Sequence, residues 1–145
     1  MAYDVSWMLG RGFGEITYLD ACSWSFRFAD GGEIRADCAW RVVIAGHIAL
    51  TSEDHGQQYG LPSPVDAEAQ CRSMIVGRKI QSAEVRDDTR DIAIVFESGE
   101  RLEILPISSG YESWQVTAPD GTQTIAQGGG NLLTWSNAEP VAEEP

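Results

Sequence analysis

No stretch of the chain approaches the roughly 18 consecutive apolar residues that a membrane-spanning helix needs. There is no leader with a continuous apolar core either, because Asp4, Arg11 and Glu15 interrupt the opening segment. Both absences predict a cytoplasmic protein with no membrane partner. Basic residues are scarce: 10 Lys and Arg stand against 22 Asp and Glu in 145 residues, a formal net charge of −12. That balance excludes phosphate-led binding of DNA or RNA and adhesion to anionic lipid. It favours a basic protein or peptide as partner. Cysteine is sparse as well. Cys22, Cys38 and Cys71 form no C-x-x-C pair, and an odd, loosely spaced set predicts reduced thiols.

Motifs for chemistry are equally thin. The histidines are His47 and His55, and no nucleophile elbow surrounds any Ser or Cys that would pair with them. Glu53, Asp54 and His55 are adjacent in one loop, a poor arrangement for converging on one ion, and structural zinc favours paired Cys or His. Asp87, Asp88 and Asp91 lack the remaining spacing of a calcium loop and read as an exposed hairpin turn. Gly128-Gly129-Gly130 is followed by no Lys-Ser/Thr and precedes a strand, so it reads as a wide turn and not as a phosphate cradle. The expectation is a non-enzymatic protein with no cofactor and no metal.

What the chain does have is a motif used twice. Leu9-Gly10-Arg11 leads to Trp24-Ser25-Phe26-Arg27-Phe28 and an Asp30-Gly31-Gly32 turn; Val76-Gly77-Arg78 leads to Ile92-Ala93-Ile94-Val95-Phe96 and a Ser98-Gly99 turn. Each copy then reaches a Trp two residues before a Val, Trp40 with Val42 and Trp114 with Val116. The alternation at Trp24, Phe26, Phe28 and at Ile92, Ile94, Phe96 predicts strands with one buried face. Return strands carry Ile34 and Ala36 in one copy, Leu102 and Ile104 in the other. Before each Gly–Arg a short helix is expected: Tyr3 to Leu9 with Asp4 as N-cap, and Val65 to Val76 after Pro64. The first strand of each copy follows, at Phe13 to Leu19 and Lys79 to Arg86, the second with a bulge.

The fold class expected is therefore α+β, mainly β: two tandem repeats of short helix plus antiparallel meander, packed as a sandwich or a partly closed barrel. Residues 1–51 form the first repeat, 52–63 a linker loop, 64–136 the second repeat and 137–145 a disordered acidic tail. The Gly–Arg motifs recur at a spacing of roughly 65–70 residues, a length at which an isolated core is marginal, so the halves are expected to share one core.

Five Trp in 145 residues is a high density. Those that pattern does not assign to the core, with the tyrosines, are candidates for a groove or interface. The candidate binding residues are Tyr111, Trp114, Trp40 and Tyr59. Arg11 and Arg78, at matched positions, join them as an anion site unless local carboxylates pair with them. Val76-Gly77-Arg78, Ile92 to Phe96, Ser98-Gly99, Leu102-Glu103-Ile104-Leu105 and Tyr111-Glu112-Ser113-Trp114-Gln115-Val116 together resemble a small bacterial β-rich family of unknown function, with the first half a degenerate copy. The resemblance implies a short, acidic protein with no assigned activity. Its size and charge are similar to those of immunity proteins that neutralise toxins. The functional expectation is a protein-interaction module, immunity-like or regulatory, for a basic protein partner. The alternatives are a small-ligand-binding protein with a pocket between the repeats, near Trp114 and Tyr111, and an unrecognised hydrolase. The sequence leaves the oligomeric state open, a homodimer included.

Overall fold

Alternating apolar residues become strands with one buried face. In a computed structural model, which describes residues 3–136 and the backbone of residues 140–144, the first repeat runs β1 (Phe13–Asp20), β2 (Ser23–Phe28), β3 (Glu33–Ala36), β4 (Ala39–Ile44) and β5 (His47–Thr51). Helix α1 (Ala67–Ile75) opens the second repeat. β6 (Ile80–Val85), β7 (Ile92–Phe96), β8 (Arg101–Leu105), β9 (Trp114–Thr117) and β10 (Gln123–Ala126) follow, then β11 (Leu132–Trp135) and β12 (Pro140–Glu144). Two antiparallel sheets result, ordered β1-β2-β3-β9-β10-β11-β12 and β5-β4-β8-β7-β6. Neither closes on itself, so the sandwich is realised and the barrel is not.

The order reveals how the duplication is used. Each repeat gives its first three strands to one sheet and its next two to the other. Exchanging the repeats maps β1-β2-β3-β9-β10 onto β6-β7-β8-β4-β5. Trp24–Phe28 and Ile92–Phe96 are thus the middle strands of two matching meanders. Register agrees residue by residue: Ala36 faces Trp114 and Ile34 faces Val116 at one seam, while Ile104 faces Trp40 and Leu102 faces Val42 at the other. Both first strands slip register just after their first residue, between Phe13 and Glu15 and between Ile80 and Ser82. The expected bulge is therefore present in both copies.

At the crossing of the two repeats the Gly–Arg motifs bond reciprocally. The Gly10 N–H donates to the Ile80 carbonyl at 2.9 Å, and the Gly77 N–H to the Phe13 carbonyl at 3.0 Å. Both glycines sit at positive φ, +78° and +81°, the left-handed conformation that turns a helical segment into a strand. The inner faces meet in one shared core that includes Phe13, Phe26, Phe96, Trp24, Trp40 and Trp114, each at most 1% exposed. Burying one such side chain contributes roughly 1.5–3 kcal/mol. Because the seams join strands of different repeats, neither repeat has a complete sheet of its own.

Three expectations change. The N-terminal helix shrinks to a 3-10 turn, Ser6–Met8, with the Asp4 carboxylate accepting the Ser6 N–H at 2.8 Å. Too few residues separate that cap from Gly10 to repay helix nucleation. The loop after β5 is organised, not slack: Thr51 and Asp54 form a reciprocal cap, and Gly56 and Val65 are joined by a backbone bond of 2.9 Å. Of the expected disordered tail, residues 140–144 run as strand β12 beside β11, while residues 137–139 and 145 lie outside the described residues.

Helix α1 starts on Asp66, whose carboxylate accepts the Ala69 N–H at 3.0 Å, and buries Ala67, Cys71 and Ile75. It packs on β1, the first strand of the other repeat. Arg72 there donates to the Ile16 carbonyl at 2.9 Å and pairs with Glu68. Arg72→Met, which keeps the stem and removes the donor, is expected to lower stability by about 1 kcal/mol. A denaturant melt indistinguishable from the parent protein would show that this edge contact contributes nothing.

Candidate functional site

Two concavities lined by the described residues stand out. The larger is an open groove of about 1040 Å³ between residues 3–9 and the β6–β7 hairpin. Its charged groups are nearly all carboxylates: Asp4, Glu84, Asp87, Asp88, Asp91 and Glu103, against one cation, Arg86. Hairpin geometry puts them there. The Arg86 N–H donates to the Asp91 carbonyl, and residues 87–89 between them form an exposed turn that projects Asp87 and Asp88. Arg86 is engaged with Asp88 at 3.2 Å, and Glu103 with Arg41 at 2.6 Å and Arg101 at 2.9 Å. Asp4, Glu84, Asp87 and Asp91 have no salt bridge among the described residues. Arg86, and then the Thr89 N–H, hold the Asp88 carboxyl down to about 2, and bonding to Ser6 also lowers Asp4. Both therefore stay ionised in mildly acidic solution.

The smaller concavity, about 530 Å³, lies at the β1–β2 turn. Cys22, Asp37, Cys38, His55 and Tyr111 are among its walls, and Ile107 and Tyr111 rise from its rim 87% and 82% exposed. It holds a histidine beside carboxylates and thiols, so its hydrogen bonds decide what it can do. The His55 Nδ1 accepts the Ala67 N–H at 3.1 Å. The neutral ring then carries its proton on Nε2 and has no free lone pair to act as a base. What His55 accomplishes is to satisfy the first N–H of α1, an otherwise orphan donor, while packing at a tilt against Tyr18, ring centroids 4.4 Å apart. Burial, and then nearby Asp37, push the Cys38 thiol up to about 12, so it stays protonated and weakly nucleophilic. Burial alone pushes Cys71 up to about 12. Alkylation of the native protein near pH 8 is expected to label exposed Cys22 first and Cys71 only after unfolding. Peptide mapping that finds Cys71 labelled together with Cys22 would contradict this placement.

The residues singled out from the sequence scatter. Trp40 and Trp114 are core, each 1% exposed, so neither offers a surface to a partner or ligand. Only Tyr111 of the Trp114–Tyr111 pair lines the smaller pocket. Tyr59 is 67% exposed and donates its hydroxyl to Asp54 at 2.9 Å. That bond and the Thr51 N–H occupy both Asp54 oxygens. Among the described residues no three His, Cys, Asp or Glu side chains are placed to hold a metal ion. Arg11 and Arg78 meet local carboxylates, Asp30 at 3.0 Å and Glu100 at 3.7 Å, and each also donates to a backbone carbonyl, Trp7 and Met74. They are matched braces of the two repeats, each already paired with a carboxylate of its own repeat.

Sequence reasoning saw the acidic run at Asp87, Asp88 and Asp91 but not its union with Asp4. The signal was available in part: both segments flank a Gly–Arg motif, and those motifs cross.

The model of a family of unknown function (DUF6188) matches residues 23–136, a span from β2 to the residue after β11. No curated protein and no solved structure matches the chain.

Proposed function

Because the chain belongs to the DUF6188 family of unknown function, we propose a function from its surface: it is a non-catalytic interaction module that binds a basic protein through the groove beside β6. The observation that carries this reading is the concentration of four unbridged carboxylates, Asp4, Glu84, Asp87 and Asp91, around one open groove. A net charge of −12 surrounds it. Such a field accelerates encounter with a cationic surface and repels nucleic acid. The tautomer of His55 and the protonated Cys38 thiol support the non-catalytic half of the proposal.

The test is a titration with oligo-lysine followed by amide NMR at low and high ionic strength. Shifts are expected to gather at the groove, to weaken with added salt, and to diminish in the Asp87→Asn/Asp91→Asn variant. Shifts spread evenly over the surface, or binding indifferent to salt and to the variant, would sink the proposal.

A second reading rests on the smaller pocket. Its 530 Å³ lies within the range of roughly 300–1,000 Å³ typical of small-molecule sites. Tyr111 and Ile107 form an apolar lip to it. Saturable quenching of tryptophan fluorescence by a small organic ligand, lost in Tyr111→Ala, would favour it over the groove.

A further inference from the structure

The two repeats treat the outer edges of their first strands differently. At β1 the edge is closed from outside by α1: the Glu68 carboxylate accepts the Tyr18 N–H at 2.8 Å, and the Arg72 guanidinium donates to the Ile16 carbonyl at 2.9 Å. Ile16 and Tyr18 stand opposite Phe26 and Trp24. Their counterparts in β6 are Ala83 and Val85, opposite Ile94 and Ile92. An antiparallel ladder alternates, so the Ala83 carbonyl and the Val85 N–H point away from β7, as the Ile16 carbonyl and Tyr18 N–H point away from β2. Among the described residues nothing bonds to either group. In the place of a second α1 there is only the turn Ser6–Met8, and its following residues bond the Ile80 end of β6 alone. Beyond that turn lies the groove of about 1040 Å³.

We infer that this groove seats a short helix from the basic partner, whose side chains close the edge of β6 as Glu68 and Arg72 close the edge of β1. The inference rests on the reading proposed above and gives the partner a shape. Charge selects the donor of the helix: α1 of a second copy brings Asp66 and Glu68 against Arg72, a poor match for Asp4, Glu84, Asp87 and Asp91. A cationic helix is complementary. An added strand fits less well, because β6 is bulged at its Ile80 end and turns at Arg86, leaving two outward-facing residues for a ladder. A helix needs only two side chains to satisfy them.

The probe is a blocked peptide with the sequence of residues 64–77 carrying D66S, E68Q, Q70K and S73K, which keeps an N-cap and an acceptor at position 68 and makes the helix cationic. Its control adds A69P to break the helix. Both are titrated into the full chain, with hydrogen exchange read at the Val85 amide. The helical peptide is expected to bind at least about tenfold more tightly than the proline control and to slow exchange at Val85. Equal affinity of the two peptides would overturn the helix while leaving the acidic groove as a binding face, and so would binding that leaves the Val85 amide unprotected. Failure of both peptides to bind would overturn it too. The oligo-lysine titration then decides separately whether the basic-partner reading survives.

Discussion

Phe96→Ala is expected to lower the free energy of unfolding by about 3–5 kcal/mol, the cost of removing a fully buried aromatic from a packed interior. Phe96 is 0% exposed and ends the middle strand of the second meander; Phe28, 5% exposed, ends that of the first. Between them sits Phe13, with ring centroids 4.6 Å from Phe28 and 6.3 Å from Phe96. The three rings therefore pin the two sheets together at the crossing of the repeats. Phe28→Ala is expected to fall in the same range of about 3–5 kcal/mol, tempered by Trp7, which meets Phe28 edge-on at 5.0 Å and can partly collapse into the space. Neighbouring rings couple, so the double variant should depart from the sum of the singles. Urea denaturation of both single variants is the measurement. Losses under about 1 kcal/mol for both would remove these residues from the centre of the fold.

The second large effect separates two residues that the duplication makes equivalent. Trp40 and Trp114 occupy the same register position at the two seams and are equally buried. Among the described residues only one of the two indole N–H groups has a hydrogen bond. The Trp114 Nε1–H donates to the Arg90 carbonyl at 2.8 Å, whereas the Trp40 Nε1–H has no partner. The cause lies in hairpin length. Arg90 belongs to the long β6–β7 turn, where it holds φ at +66° and anchors its side chain on the Gly130 carbonyl. The matching β1–β2 turn is just Ala21 and Cys22 and contains no counterpart to Arg90. Phenylalanine at either position loses the same volume. At 114 it also strands a buried carbonyl; at 40 it removes a buried donor that has nothing to bond. Trp114→Phe is therefore expected to cost about 1–3 kcal/mol more than Trp40→Phe. Equal losses from the two variants would mean that the Arg90 bond contributes nothing net.

Much of the fold was legible because it was written twice. The alternation at Trp24, Phe26, Phe28 and its echo at Ile92, Ile94, Phe96 specified strands, buried faces and hairpins, and the Trp–Val pairs marked corresponding strands at the two seams. Pairing across repeats was not legible, since period-two patterning says which face is buried but nothing about which strand lies alongside. The N-terminal helix was overestimated because Asp4 and Gly10 are good terminal signals around a segment too short to propagate. The candidate site was harder to read. Tryptophan abundance pointed to Trp40 and Trp114 as surface anchors, but a seam between two sheets consumes large flat side chains just as a binding groove does. The groove carboxylates escaped because Asp4 and Asp87 are distant in sequence and meet only through the crossing of the Gly–Arg segments. His55 illustrates the remaining gap: no local pattern announces that an imidazole will cap a helix starting twelve positions later.

Shared seams also govern the order of events during synthesis. When β1, β2 and β3 have left the ribosome, the partner of β3 does not yet exist. Ile34 must wait for Val116, roughly 80 residues later, or about 4–16 s at about 5–20 residues per second. Through that interval β3 is an open strand, and the charges of Glu33 and Arg35 on its outward positions are the local deterrent to pairing with a stranger. Nascent chains arrested before Trp114 are expected to be cut readily by protease within Glu33–Ala36, with protection arriving once Thr117 has emerged. Protection already complete in the shorter chains would mean that the first meander closes its edge by some other route.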